Sequence, residues 1–310
     1  MDIGIYGMGR MGFNMTRRLV DKGDHRVIAG NRSSGKVDDA VEQGAEGAYS
    51  VQEFVEMQEE SPRVLWTMLP AGDVTDEMIH QFMDLADEGD IIVDGANSYF
   101  RDSVARAREV RNAGFRWLDA GVSGGVWGYD VGYCTMVGGD ADAFEHVEPA
   151  FETLAPQKGY AYLGDAGAGH FAKMVHNGVE YGMMQAYAEG FEILQKSRYD
   201  YDLRALSSLW NQGSVVRSWL LELAENAFAQ DANLDSVRGY VEDSGEGRWT
   251  VMEAIEESVP ANAIAGSLFA RFASRQDDSF AMKVLAALRG QFGGHAIQEA
   301  STRYPEQEQK

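Results

Sequence analysis

Cysteine occurs once in 310 residues, as Cys134, so no disulfide can form within the chain and a disulfide-stapled secreted scaffold is excluded. Histidine is sparse and scattered: the six residues include no HxxxH pair and none neighbours the cysteine, so no metal site is expected. No apolar run reaches the roughly 18 residues that span a bilayer, and the start Met1-Asp2-Ile3-Gly4-Ile5 carries no basic, apolar leader. A cytoplasmic protein without a membrane partner is expected. Basic residues are outnumbered by acidic ones, 27 to 49, and the net charge of −22 sets a field that repels nucleic acid and anionic lipid. The acids are spread along the chain beside a normal hydrophobic content, so they read as a hydrated surface and not as a disordered tail. Such a composition is similar to that of proteins from a high-salt cytosol, where a Debye length of about 3 Å at molar salt removes the self-repulsion. An anionic substrate would then need a local basic pocket.

What is present is glycine in a telling place. Asp2 to Gly7 reads as a short buried strand, runs into Gly7-Met8-Gly9-Arg10-Met11-Gly12, continues as a helix from Phe13 to Lys22, and returns as a strand at Arg26 to Gly30. Strand, glycine turn, helix and strand within about 30 residues is the context that makes GxGxxG a dinucleotide-binding signal. The first glycine permits the tight turn, the second lets backbone approach a pyrophosphate, and the third allows close helix packing, with the helix N-terminus facing the anion. Further strands are expected at Val64–Leu69, Ile91–Asp94, Phe115–Asp119, Tyr133–Val137 and Tyr160–Leu163, with helices near Val51–Glu60, Asp73–Glu88 and Asp102–Ala113. The alternation predicts an α/β fold, a Rossmann-like doubly wound parallel sheet with its sites at the carboxyl ends of the strands. Those ends are Gly7 to Gly12, Asn31 with Arg32 and Ser33, Leu69 to Gly72, and Gly95 to Ser98, which includes Asn97.

The pattern changes at the glycine run Gly164 to Gly169. Residues 1–164 are expected to form the dinucleotide-binding domain and 165–310 an all-α domain for substrate binding and oligomerisation, with long helices at His170–Lys196 and Leu203–Ala229. On the first of these, Lys173, His176, Asn177, Glu180 and Tyr181 lie within about one third of the circumference. A solvated stripe would also carry Lys and Glu; a dinucleotide domain in front of it points instead to hydride transfer with an acid and a base on one helix face. Ser123-Gly124-Gly125 offers a hydroxyl and backbone N–H groups suited to a carboxylate, and Arg289 to His295 sets a guanidinium and an imidazole among small residues, as a phosphate site requires.

Together, GMGRMGFN at Gly7 to Asn14, Asn31-Arg32-Ser33, Asp94 to Ser98, Val122 to Gly125, Lys173 to Tyr181 and Arg289 to His295 resemble 6-phosphogluconate dehydrogenase, in order and over nearly the whole chain. Val126-Trp127-Gly128 and Asp243 to Thr250 resemble its short-form branch. The resemblance implies oxidation of 6-phosphogluconate at C3, loss of carbon dioxide and formation of ribulose 5-phosphate. It implies Lys173 as the base, with its proton affinity lowered by desolvation and a cationic nicotinamide, and then as the group that polarises the keto oxygen without a metal. Glu180 would be the final acid. Asn97, Ser123, Gly124, Gly125, His176 and Asn177 would hold the carboxylate and hydroxyls, and Tyr181 and Arg271 the phosphate. Arg289 and His295 would reach that phosphate from a neighbouring subunit of a homodimer or homotetramer. The long form has a lysine ahead of its Gly-Lys-Trp segment where this chain has Ser244-Gly245-Glu246-Gly247-Arg248-Trp249. Asn31, in place of a ribose-binding carboxylate, with Arg32 and Lys36 beside it, admits NADP, while short-form relatives favour NAD; the reading leans to NAD. Another β-hydroxyacid dehydrogenase, such as one acting on 3-hydroxyisobutyrate, and a non-catalytic dinucleotide sensor are the alternatives.

Overall fold

A computed structural model describes residues 1–293. β1 (Asp2–Tyr6) passes through the glycine turn into α1 (Arg10–Lys22), and the alternation continues as β2 (Arg26–Gly30), α2 (Ser34–Val41), β3 (Glu46–Ala48), α3 (Val51–Glu56), β4 (Val64–Thr67), α4 (Asp73–Leu85), β5 (Ile91–Asp94), α5 (Phe100–Asn112) and β6 (Arg116–Ser123). A short 3-10 turn, Gly125–Trp127, leads to α6 (Gly128–Val131), β7 (Cys134–Gly139), α7 (Ala141–Leu154) and β8 (Tyr160–Gly164). The strands form one eight-stranded sheet in the order β3-β2-β1-β4-β5-β6-β7-β8. Since β1 is hydrogen-bonded to both β2 and β4, the order reverses there, and the crevice at that switch point lies beside the glycine loop.

The strands are nearly continuous apolar runs because both faces are covered. Ile3, Ile5, Trp66, Val93 and Leu118 pack with Met15 and Leu19 of α1 and Val147, Phe151 and Leu154 of α7, while Ile28, Leu65, Ile92 and Trp117 pack with Phe54 of α3, Ile79 and Phe82 of α4 and Val110 of α5. The sheet departs from the expected parallel order at β7, which pairs antiparallel to β6 with Ser123 opposite Cys134. The segment 124–133 between them is too short for a crossover, which takes about a dozen residues or more.

The helices that follow are α8 (Ala168–Gln195), α9 (Leu203–Trp210), α10 (Trp219–Gln230), α11 (Glu246–Glu256), α12 (Asn262–Ser274) and α13 (Phe280–Gly293). The single helix expected over Leu203–Ala229 is therefore two. Gly213 takes a left-handed φ of +75°, the Asn211 side chain accepts from Ser218 N at 3.0 Å, and Ser218 caps α10 by accepting from Leu221 N. By packing, the described residues separate into two compact units: Met1–Tyr181 with Gly245–Ala261, and Gly182–Ser244 with residues 262–293. This division lies further along the chain than the glycine run, and it assigns α11 to the unit that contains the sheet. The second unit has a small core of Phe191, Leu221 and Phe228.

The start of α8 is tied to the sheet by Asp119 of β6. This side chain is fully buried, and its two oxygens accept from Gly167 N at 2.6 Å and His170 N at 2.9 Å. A carboxylate there satisfies orphan N–H groups of the first turn and complements the helix dipole. Asp119→Ala leaves buried donors unmet and should lower stability by about 3 kcal/mol; urea unfolding of parent and variant measures it, and a loss below about 0.5 kcal/mol, the scale of a neutral surface change, would contradict this anchoring.

Candidate active site

The glycine loop is shaped from inside. Gly7 has φ +114°, and a Cβ on it would lie 2.6 Å from the Met68 carbonyl oxygen, so the turn excludes a side chain. Met8 N donates to Asn31 Oδ1 at 3.0 Å, and Asn31 Nδ2 donates to the Ser33 carbonyl at 3.3 Å. Asn31 thus first serves to hold the loop against the end of β2, a role its residue type alone did not reveal. Arg10, Arg32 and Ser33 are exposed around it, and Leu69 lies against Gly7. At the N-terminus of α1, Gly9 provides no side-chain cap, the first turn holds no acid, and a Cβ on Gly9 would meet nothing within 4 Å. Open N–H groups facing open space fit the pyrophosphate of a dinucleotide, with Gly7 to Gly12 as the cradle.

The next loop in the sheet, after β5, carries exposed Asn97. Its shape comes from buried Asp94, whose oxygens accept from Ala96 N at 3.0 Å, Ser98 Oγ at 2.9 Å and Arg106 Nη1 at 2.9 Å. Arg106 also pairs with Asp76 at 2.5 Å. Paired in this way, a buried arginine and aspartate hold a loop that neither could hold unpaired.

Lys173 is buried, 8 % exposed. Its stem lies over Gly121 of β6, where a Cβ would come within 2.4 Å of the Lys173 Cβ. The Lys173 Nζ donates to Asn177 Oδ1 at 2.5 Å, His176 Nδ1 is 3.0 Å from the same oxygen, and His176 Nε2 is 3.4 Å from Ser123 Oγ. An amide oxygen only accepts, so His176 must carry its proton on Nδ1 and, when neutral, can accept from the Ser123 hydroxyl at Nε2. Ser123, His176, Asn177 and Lys173 therefore form one connected chain, with Ser123 entering through the Gly124-Gly125 turn, whose φ values of +147° and +55° require glycine. Burial pulls the Lys173 ammonium below its ordinary range, and the charges of Glu180, Glu246 and Cys134 oppose that shift. A lysine so placed gives up its proton more readily than one in water.

Tyr181, 5 % exposed, packs against Gly247 of α11, where a Cβ would come within 2.5 Å of its ring. Thr250 Oγ1 lies 2.8 Å from the Met174 carbonyl, the Tyr99 and Trp249 rings are 5.0 Å apart, and Arg101 pairs with Glu253 at 3.1 Å and with Glu256. Through these contacts α11 joins the site-bearing part of α8 and the segment just after the Asn97 loop. Sequence reasoning used this stretch as a branch marker and missed Glu246 as a charge acting on the lysine and Thr250 as a partner of the next residue's carbonyl; Gly121, inside a strand next to Ser123-Gly124-Gly125, was the visible sign of a close approach. Arg271 and Arg289 belong to the second unit; Arg271 Nη1 donates to the Glu242 carbonyl at 2.9 Å, and Arg289 is exposed on α13. His295 lies outside the described residues. Among the described residues, no three His, Cys, Asp or Glu side chains are grouped as metal ligands, and no helix is long and apolar enough to cross a membrane.

The profile for the NAD binding domain of 6-phosphogluconate dehydrogenase matches residues 2–164, and that for the 6-phosphogluconate dehydrogenase C-terminal domain matches 169–304. An NAD(+)-dependent, decarboxylating 6-phosphogluconate dehydrogenase of Haloferax volcanii is 44% identical over 299 residues, covering 96% of this chain and 98% of that protein. Among solved structures, a Plasmodium falciparum 6-phosphogluconate dehydrogenase superposes with a TM-score of 0.81 at 28% identity, over 98% of this chain and 67% of that one. A Mycobacterium tuberculosis 3-hydroxyisobutyrate dehydrogenase shares the fold, with a TM-score of 0.67 at 24% identity over 93% and 99% of the two chains.

Two outcomes follow from the geometry at Lys173. Gly121→Ala must displace the lysine stem and should lower kcat about 10²-fold with little change in KM; steady-state kinetics at parent-like stability would refute the packing if kcat were unchanged. Because folding lowers the proton affinity of Lys173, the unfolded chain binds more protons, and the resulting destabilisation is full below the folded-state value and fades as pH rises towards 10.5. Lys173→Met should therefore gain stability relative to the parent at neutral pH and lose that gain in the alkaline range, as read by unfolding curves at several pH values; a gain independent of pH would exclude a titrating buried amine.

Proposed function

Because this chain belongs to the 6-phosphogluconate dehydrogenase family, we propose that it oxidises 6-phosphogluconate at C3, releases C1 as carbon dioxide and yields ribulose 5-phosphate. The observation that carries the reading for this site is the buried Lys173, hydrogen-bonded to Asn177 on the same helix face as Glu180. A nicotinamide dinucleotide, when bound, accepts the hydride from C3. Lys173 takes the proton of the C3 hydroxyl; as an ammonium it then donates to the C3 oxygen while the C1–C2 bond electrons move in to form the enediol. Glu180 protonates the enediol carbon that becomes C1 of the product. Ser123, the N–H groups of Gly124 and Gly125, His176, Asn177 and Asn97 orient the carboxylate and hydroxyls.

Gly7, Met8, Gly9, Arg10, Met11 and Gly12 would hold the pyrophosphate, with Asn31, Arg32 and Ser33 at the ribose and Leu69 and Asn97 nearer the nicotinamide. The absence of a carboxylate at Asn31 leaves the 2′ position open to either nucleotide; we favour NAD, in keeping with the NAD(+)-dependent relative. We assign the dinucleotide to residues 1–164 and substrate binding and assembly to 165–310. Tyr181 and Arg271 would meet the phosphate, joined by Arg289 and His295 from a second copy in a homodimer or homotetramer. Support for assembly comes from apolar side chains left exposed on α12 and α13, among them Phe269, Phe280, Met282, Leu285 and Leu288. The acidic surface supports operation in a high-salt cytosol.

The test is turnover of the full chain at molar and at low potassium chloride with 6-phosphogluconate and NAD or NADP, following reduced cofactor and carbon dioxide. Turnover in high salt with both products is expected, with Lys173→Met lowering kcat about 10³-fold. Arg289→Ala should raise KM by about 30-fold or more, as loss of a charge-assisted contact of about 2–3 kcal/mol requires. Cofactor reduction without carbon dioxide, insensitive to Arg289→Ala, would move the assignment to a dehydrogenase of an unphosphorylated hydroxyacid.

A further inference from the structure

α8 alone does not set the environment of Lys173. Glu246, the first residue of α11, is 2 % exposed. The first turns of α11 are fastened to the stretch of α8 that carries the lysine: Gly247 lies against the Tyr181 ring, Thr250 fills the space beside Gly178, and the Thr250 hydroxyl is shared between the Met174 and Glu246 carbonyls at 2.8 Å each. A carboxylate is thus buried at the contact with the helix that bears a buried amine. We propose that Glu246 is a positioning residue for Lys173, a fixed negative charge presented by α11 that keeps a proton on the amine at the stage where it must act as an acid.

The need for such a group follows from the reading of Lys173 as base, on which this inference rests. A lysine that first takes a proton and then gives it back works best with a proton affinity near the working pH. Burial alone overshoots, since it disfavours the ammonium by up to several units. Glu180 opposes burial, but its charge changes when it serves as the final acid. Glu246 has no step of its own in that cycle and can supply a constant field. The charged and titratable groups near the lysine are His176 and Glu180 of α8, Glu246 of α11 and Cys134 of β7, and β6 adds the buried Asp119, two residues before Gly121, whose oxygens are taken up by Gly167 N and His170 N. On α11 it is the charge of Glu246 that acts on the Lys173 ammonium.

The experiment is an NMR titration of ε-13C-lysine-labelled full-length protein, with the Lys173 signal assigned by its loss in Lys173→Met. Glu246→Gln should lower the Lys173 midpoint by about one pH unit, and Glu246→Asp, which retains the charge on a shorter stem, should lower it less. In parallel, the acid limb of kcat/KM should move to lower pH by the same amount in Glu246→Gln, with KM little changed. A purely structural role would lower the unfolding temperature and kcat while leaving the midpoint in place, and an unmoved midpoint in folded Glu246→Gln overturns the proposal. Should the glutamine variant not fold, the aspartate variant decides: a midpoint equal to the parent's overturns it. A midpoint that moves while the kcat/KM limb stays would support the coupling and instead remove Lys173 as the base.

Discussion

The ammonium of Lys173 is held where water is scarce because its stem crosses a strand position that has no side chain. With any residue larger than glycine at 121, a Cβ would meet the Lys173 Cβ at 2.4 Å, and because no rotation of the lysine side chain moves its Cβ, the helix itself would have to draw back from the strand. One missing methyl group therefore decides how closely this helix approaches the strand. The connected chain from Ser123 through His176 and Asn177 depends on the same close approach, since it links β6 to α8 within hydrogen-bonding distance.

Close approach at one point requires the helix to be anchored along its length. Asp119 holds the first turn from the same strand that contains Gly121, two residues earlier, and the antiparallel pairing of β6 with β7 brings Cys134 opposite Ser123 beside the lysine. On its other side α11 fastens to Met174, Gly178 and Tyr181. The stretch of α8 from Lys173 to Tyr181 is thus held by elements far apart in sequence. That rigidity is what a base needs if its amine is to stay within reach of one hydroxyl.

The parts of this arrangement that could be read from the sequence are those with local signals. The glycine loop has a fixed spacing between a buried strand and a helix, and Lys173 to Tyr181 share a face because a helix has a fixed period. Asp119, Glu246 and Thr250 were not legible as site residues, because each acts on a partner some fifty or more positions away and nothing in their immediate neighbours marks it; Gly121 gave a local sign of close approach, but not of which residue approaches it. Asn31 was read as a residue at the ribose, whereas the bonds its amide makes are to Met8 and Ser33, which residue type alone does not reveal. The break between α9 and α10 escaped for the opposite reason: apolar residues continue through Asn211 to Ser218, and only the side-chain bonds and the left-handed Gly213 end the helix.

Surface and buried charges in this protein respond to salt in different ways. The net charge of −22 lies mainly on side chains that water and ions reach, so its repulsion of an anionic substrate falls as the Debye length shrinks. Glu246 and Lys173 are buried side chains, 2 % and 8 % exposed, and mobile ions cannot come between them. Rising salt therefore eases the approach of a phosphorylated acid and the self-repulsion of the fold, while the proton affinity of the amine changes little. The acidic surface and the buried amine are thus set apart in the chain: β6 and α11, the elements against Lys173, supply to the net charge only Arg116 with Asp119, and Arg248 with Glu246, Glu253 and Glu256.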